Sequence, residues 1–243
     1  MYEPTQKGNP YQITKDQHIH TAHCIGLFEK DGYVQVKEIA TGEVLERKKR
    51  AAIFCAKRAW DERAEKGYMA KIEDEFHKQV DKAEIGAQRN HLAISTYHLL
   101  WFLRHHFHIG SIPDIPLVGI SGSGLSKDQS EIVEKKWGGH IRDEGIMPSR
   151  FAASIKIQQL IEMNIVQYND IRWGLVQATE GEFLVADCYQ EHCFMPISPK
   201  LAFVSQTEDG DVSREDLVAL NNTSVSKATN YYFARDLGKC HLC

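Results

Sequence analysis

The stretch from Gln88 to His108 sets the tightest limit on what this chain can fold into. Leu92, Ile94, Leu99, Leu100, Trp101, Phe102, Leu103 and Phe107 fall on every side of a helix rather than along one stripe. A helix that is apolar all round has no face to offer water, so it belongs in the centre of a core. Other elements must wrap it. A chain of 243 residues is long enough to bury roughly 70% of its unfolded surface, so no metal or disulfide is needed as a staple.

The flanking segments say what does the wrapping. Residues 1–17 are polar, carry Pro4, Gly8 and Pro10, and read as a flexible arm that docks late or stays loose. A β-meander follows, with strands at His23–Lys30 and Tyr33–Ile39 about an Asp31-Gly32 turn, then Thr41-Gly42 and a short Val44-Leu45 strand. Lys48 to Trp60 reads as a helix with a basic opening. Tyr68–Ala83 is amphipathic, with Tyr68, Ile72, Phe76, Val80 and Ala83 at helical spacing. Gly110–Ser130 reads as a long surface loop, and Pro148-Ser149 opens a helix running to Val166.

From Ile171 the period shortens to that of strands (IRWGLVQA, EFLVAD, CFMPIS, LAFVS), and Ser213 with Asp216 marks the start of a last helix. Strands and helices thus come in blocks. The pattern predicts an α+β fold: N-terminal β-meander, helical middle around a central buried helix, then C-terminal antiparallel strands and terminal helices. One domain is expected over 18–243, behind the arm and with the loop at 110–130.

A net charge of -4 argues against a broad non-specific grip on nucleic acid, though not against a local basic groove. No run approaches the ~18 apolar residues that span a bilayer, so no membrane partner is expected. The start has no apolar core of a secretory signal, and a cytoplasmic location follows as the expectation. In that compartment six cysteines read as thiols or metal ligands rather than disulfides.

Four groups of side chains could carry chemistry. His18, His20 and His23 lie close together. In an extended segment His18 and His20 share a face, as two metal ligands or a base and its partner would, while the plainer alternative is a polar lead into a strand. His91, His98 and His105 recur every seven residues on the central helix, a spacing that suits packing and lacks the i, i+4 pair of a two-ligand helix. Glu73, Glu75 and Asp187 are candidate carboxylates for a divalent metal or a general base, or simple helix and turn residues. Cys188 and Cys193, with Cys240 and Cys243, could meet as a structural zinc site or remain free thiols. The run GISGSG is neither a P-loop nor a nucleophile elbow, because no Gly-Lys-Ser/Thr follows and Ser123 stands where the elbow needs glycine.

Several of these positions occur in an order that resembles a large, mostly bacterial family catalogued as domain of unknown function 4238. His18, Ile25 and Phe28 fit its N-terminal signature, with Thr21 in place of a proline. Ile72-Glu73 matches its Ile-Glu pair and Arg104 its helix-closing arginine. Ala186-Asp187, Ile197-Ser198-Pro199, Leu220-Asn221 and NYYFARD follow in its C-terminal order. The missing proline after His18, and the missing serine and proline around Asp187, mark a divergent member. That family has no settled activity.

The resemblance adds His18, Glu73, Arg104, Asp187 and Asn221 as a set of matched polar positions. A histidine, two carboxylates and an arginine suit metal-assisted phosphodiester hydrolysis by an effector in conflict with phages, with nucleic acid as partner. The competing expectation is a non-enzymatic protein-interaction domain in which the same residues are buried structural pairs, such as Glu73 with Arg104. The first requires His18, Glu73 and Asp187 to converge in one cleft. The second requires a closed polar cluster.

Overall fold

The computed structural model describes residues 3–110, 112–122, 124–190 and 194–242. In chain order its elements are β1 (Asp16–His18), α1 (Ala22–Gly26), β2 (Val34–Glu38), β3 (Val44–Arg47) and β4 (Cys55–Lys57). A π-turn, Ala64–Met69, then runs into α2 (Ala70–Asp81), followed by α3 (His91–Ile109), β5 (Ile115–Pro116), α4 (Lys127–Lys136), β6 (Ile146–Met147) and α5 (Ser149–Tyr168). The last third holds β7 (Trp173–Ala178), β8 (Val185–Ala186), β9 (Phe194–Pro196), β10 (Leu201–Ser205), β11 (Gly210–Val212), α6 (Arg214–Lys227) and β12 (Tyr231–Ala234). The fold is α+β.

Helix α3 is the centre of the core, as its sequence requires. Asn90 caps it by accepting from the Ala93 N–H at 3.1 Å, and Tyr97, Leu100, Trp101, Leu103 and Arg104 are buried. Helix α2 lays its apolar stripe on it, with Phe76 stacked on Tyr97 at 3.9 Å between ring centroids. Two four-stranded sheets hold α3 from the other sides. One, in the order β3-β2-β12-β8, pairs the N-terminal strands with the last strand, Val36 opposite Phe233. The other runs β11-β7-β10-β9. Trp101 reaches the first sheet by donating from Nε1 to the Asp187 carbonyl at 2.9 Å. Trp173, on β7 of the second sheet, donates to Ser95 of α3 at 2.8 Å.

Several local expectations change. The segment expected as a strand at His23–Lys30 opens instead as helix α1. Thr21 accepts from the His23 N–H as its cap, and Cys24, Ile25 and Phe28 are buried at the i, i+1, i+4 spacing of a helix. The Asp31-Gly32 turn forms, with φ of 55° and 82°, but closes only the single bridge between Lys30 and Tyr33.

Lys48–Trp60 is not a helix. After a short 3-10 turn at Ala52–Phe54 it enters β4, paired with β1, His18 opposite Cys55. A short run of consecutive apolar residues has no period of its own, so tertiary pairing chose the strand. The stretch 110–130 contains β5 and the start of α4, whose Ser126–Gln129 capping box is complete; Ser123 lies outside the described residues. Strand β11 pairs parallel to β7, so the late sheet is mixed rather than purely antiparallel.

From Glu3 onward the N-terminal arm is docked. Glu3 pairs with Arg150 and Lys127, the Gln6 N–H donates to Glu131 at 2.8 Å, and the Thr14 N–H to Glu62 at 2.7 Å. These partners are distant acidic and basic side chains on α4, α5 and the Arg58–Glu62 segment. Nothing in the polar arm itself signals them.

The second sheet depends on a close backbone approach at Gly174, where an added Cβ would lie 2.2 Å from the Thr207 carbonyl oxygen. Backbone cannot swing aside as a flexible side chain can. Gly174→Ala is therefore expected to cost about 2 kcal/mol, read as a fall in melting temperature of roughly 4–8 °C; an unchanged melt would contradict the packing described.

Candidate functional site

The polar residues that the resemblance singled out fall into three places. The first is built around Arg104. Helix α3 carries this guanidinium into the interior, where the residue is 1% exposed. It donates from Nη1 to Glu73 on α2 at 2.6 Å and from Nη2 to Glu65 in the π-turn at 3.3 Å. Its plane lies 5.3 Å from the Trp60 ring centroid, and the Trp60 indole N–H in turn donates to Glu65. Burial opposes its charge, yet Glu73 and Glu65 push the Arg104 guanidinium above its ordinary value. Burial raises the Glu65 carboxyl, against the pull of Arg104.

His18 borders this knot. It stands at the end of β1, where Gln17 turns inward and bonds both backbone groups of Trp60. The Nε2 of His18 lies 3.1 Å from the Lys49 carbonyl; a carbonyl only accepts, so the ring proton is on Nε2 and Nδ1 keeps its lone pair. Burial pushes the His18 pKa down, so the ring is neutral near pH 7. His20 does not share a strand face with it, because β1 has ended. His20 stacks on Trp101 at 4.0 Å, with Nδ1 2.8 Å from the Tyr97 hydroxyl. That hydroxyl accepts from the Thr21 N–H, which leaves its own proton for His20.

Asp187 lies in a second place. Its carboxylate accepts from the Thr229 and Asn230 N–H groups, each at 2.8 Å, and meets His105 Nε2 at 3.2 Å. The side chain is fully buried. It ties the end of β8 to the turn before β12 and to α3, and its hydrogen bonds go to Thr229, Asn230 and His105 rather than to His18 or Glu73. Asn221 forms the third. Its carbonyl accepts from the Leu184 N–H at 3.1 Å and its amide donates to the Glu182 carbonyl at 2.9 Å, stapling α6 to the segment that leads into β8.

The other candidates are equally local. His91 Nδ1 accepts from the Trp173 N–H at 3.0 Å, and His98 packs against the Trp173 ring. With His105, the seven-residue stripe thus fastens α3 to both sheets. Glu75 pairs with Lys78 on the exposed side of α2. Cys193 and Cys243 lie outside the described residues. Cys188 and Cys240 are buried thiols, each pushed up to about 12 by burial, and among the described residues no group of three or more histidines, cysteines or carboxylates is placed to hold a metal.

A cavity of about 550 Å³ lies elsewhere, between the π-turn, the 138–141 segment and α5, with Arg63, Tyr68, Lys71, His140 and Phe151 among its walls. None of the cavities described is lined by His18, Glu73, Arg104, Asp187 or Asn221.

Sequence reasoning missed Glu65, Trp60 and His105 as partners. One signal was available: Arg104 is the only charged residue other than histidine within an otherwise apolar helix, and a buried arginine demands carboxylates. Which carboxylates they would be was not readable, since Glu65 reaches it from a π-turn. Compared with known proteins, the chain matches no family model, no curated protein and no solved structure.

Removing one partner of a buried pair strands the other, at about 3–5 kcal/mol. Arg104→Ala is expected to lower the melting temperature by roughly 6–20 °C, whereas Glu75→Gln should leave it within about 2 °C; equal small effects would contradict the knot.

His20 supplies a pH dependence. Burial holds it down to about 3, against an ordinary 6.5. The unfolded chain therefore binds a proton that the folded chain refuses, so stability is full above about 6.5 and falls as pH drops toward 3. Melts from pH about 7 to about 4 are expected to show this fall, with a shallower slope in His20→Phe; identical slopes would remove His20 from the account.

Proposed function

We propose that this domain acts in the cytoplasm by binding a partner and is not a catalyst, with its matched polar residues serving as the internal ties of a non-enzymatic protein-interaction domain. The observation that carries the reading is that the two groups a hydrolase would need free are each buried and held by partners within the fold. Arg104 is enclosed by Glu73, Glu65 and Trp60, and the Asp187 carboxylate by two backbone N–H groups and His105. An arginine so held cannot clamp a phosphate, and a carboxylate so held cannot take a metal.

Charge points the same way. Arg104 with Glu65 and Glu73, beside a neutral His18, sums to one excess negative charge, which repels a phosphodiester unless a cation intervenes. The resemblance to the family catalogued as domain of unknown function 4238 fits this reading, since the His18, Glu73 and Arg104 positions would then be matched for folding.

A second reading, a metal-assisted nuclease, keeps one observation in its favour: His18 is neutral and oriented, with the Nδ1 lone pair a general base requires. One experiment separates the two. The purified protein with Mg²⁺ or Mn²⁺ is incubated with DNA and with RNA, beside His18→Ala. No cleavage above the metal-only blank is expected. Cleavage that disappears in His18→Ala at an unchanged melting temperature would overturn the binding reading.

A further inference from the structure

A second charge network joins α4, α5, the β4 end and the arm. Arg58 and Arg150 are each 4% exposed, and both aim at one carboxylate oxygen of the fully buried Glu134. Arg58 Nη2 lies 2.6 Å from it and Arg150 Nε 2.9 Å. Two guanidiniums on one carboxylate leave a positive excess. Glu3 of the arm meets it: its carboxylate accepts from Arg150 and, at 2.6 Å, from Lys127, while its backbone carbonyl accepts from Arg58 Nη1 at 3.0 Å.

The place where Glu3 sits has the features of a ligand site. A cavity of about 240 Å³ opens directly beside it, walled by Glu3, Lys127, Ser130, His140 and Arg142. Arg58 Nε, Glu134 Oε1 and His140 Nδ1 are buried polar atoms with no partner among the described residues. Buried polar groups are nearly always satisfied; the unpartnered Arg58 Nε–H asks for an acceptor, and His140 walls the cavity, whereas Glu134 Oε1 asks for a donor. In the inner cluster Arg58, Arg150 and Lys127 set against Glu134 and Glu131 give three positive charges and two negative before Glu3 is added, while the outer wall of the cavity adds Arg142, paired with Asp114, and the carboxylates Asp143 and Glu144.

The geometry points to an oxyanion site of the phosphate class formed by Arg58, Arg150, Lys127 and His140, in which the Glu3 carboxylate is a built-in competitor. Paired arginines match a tetrahedral oxyanion through several N–H groups at once, while lysine adds a point charge. Glu134 is the positioning residue, fixing both guanidiniums. The arm would leave when the anion arrives, coupling ligand binding to release of residues 3–14. Burial opposes the Glu3 charge, but Arg150 and Lys127 hold its carboxyl down to about 2; the competitor therefore remains ionised at neutral pH. The inference stands apart from the Arg104 knot and does not depend on whether His18 is catalytic.

The test is calorimetric titration of the full chain with inorganic phosphate, at constant ionic strength set with chloride. A competitor that fills the site about nine-tenths of the time lowers apparent affinity about tenfold. Glu3→Gln is thus expected to bind phosphate about tenfold more tightly than the parent chain, with one site. Adding Lys127→Gln, at a residue 40% exposed in its side chain, should take back most of that gain. Circular dichroism and melts confirm that both variants are folded. Equal affinity in the parent and Glu3→Gln, or a gain that persists undiminished with Lys127→Gln, would overturn the proposal.

Discussion

The structure depends on placing one positive charge in an apolar interior. Helix α3 must be central because it has no polar face, and Arg104 sits on it. An unpaired guanidinium there would cost several kcal/mol, far more than a marginally stable domain can spare. The surroundings answer that demand. Helix α2 sends in Glu73, the π-turn ahead of it aims Glu65, and Trp60 covers the guanidinium face. A π-turn widens the backbone and re-aims side chains. Here it lets Ala64–Met69 present Glu65 inward while the helix that follows keeps Phe76 and Val80 on its buried side.

The same logic recurs in the late part of the chain. Asp187 and Asn221 each use short polar side chains to satisfy backbone groups between elements that the sequence separates widely. Asp187 ends β8 and caps the turn into β12; Asn221 does the work of a neighbouring strand for Leu184 and Glu182. Residues of this kind act through the shape they impose. They need not touch a substrate.

What the sequence made legible was whatever one periodic segment decides alone. The all-round apolar pattern of α3, the stripe of α2, the start of α5 at Ser149 and the Ser213 cap of α6 are local facts. What it hid was settled by partners far away. The apolar run at Cys55 became a strand because β1 was there to pair with it. The segment after Thr21 became a helix because a threonine cap and three buried residues at helical spacing outweighed a strand-like composition. For the site, Arg104 announced its need for carboxylates and Glu73 was legible as one. Glu65 and the Glu3–Arg150 contact were not, since ion pairs leave no spacing in the chain.

On the binding reading, the Arg104 cluster stabilises the fold and does no chemistry. The most direct measurement is a double-mutant cycle on stability, with Arg104→Met, Glu73→Leu and the pair together. A buried structural pair is expected to show each single change costing about 3–5 kcal/mol, with the double less destabilised than the sum by roughly 2 kcal/mol or more. Strictly additive, small effects would contradict the claim and reopen the cluster as a place where chemistry is done.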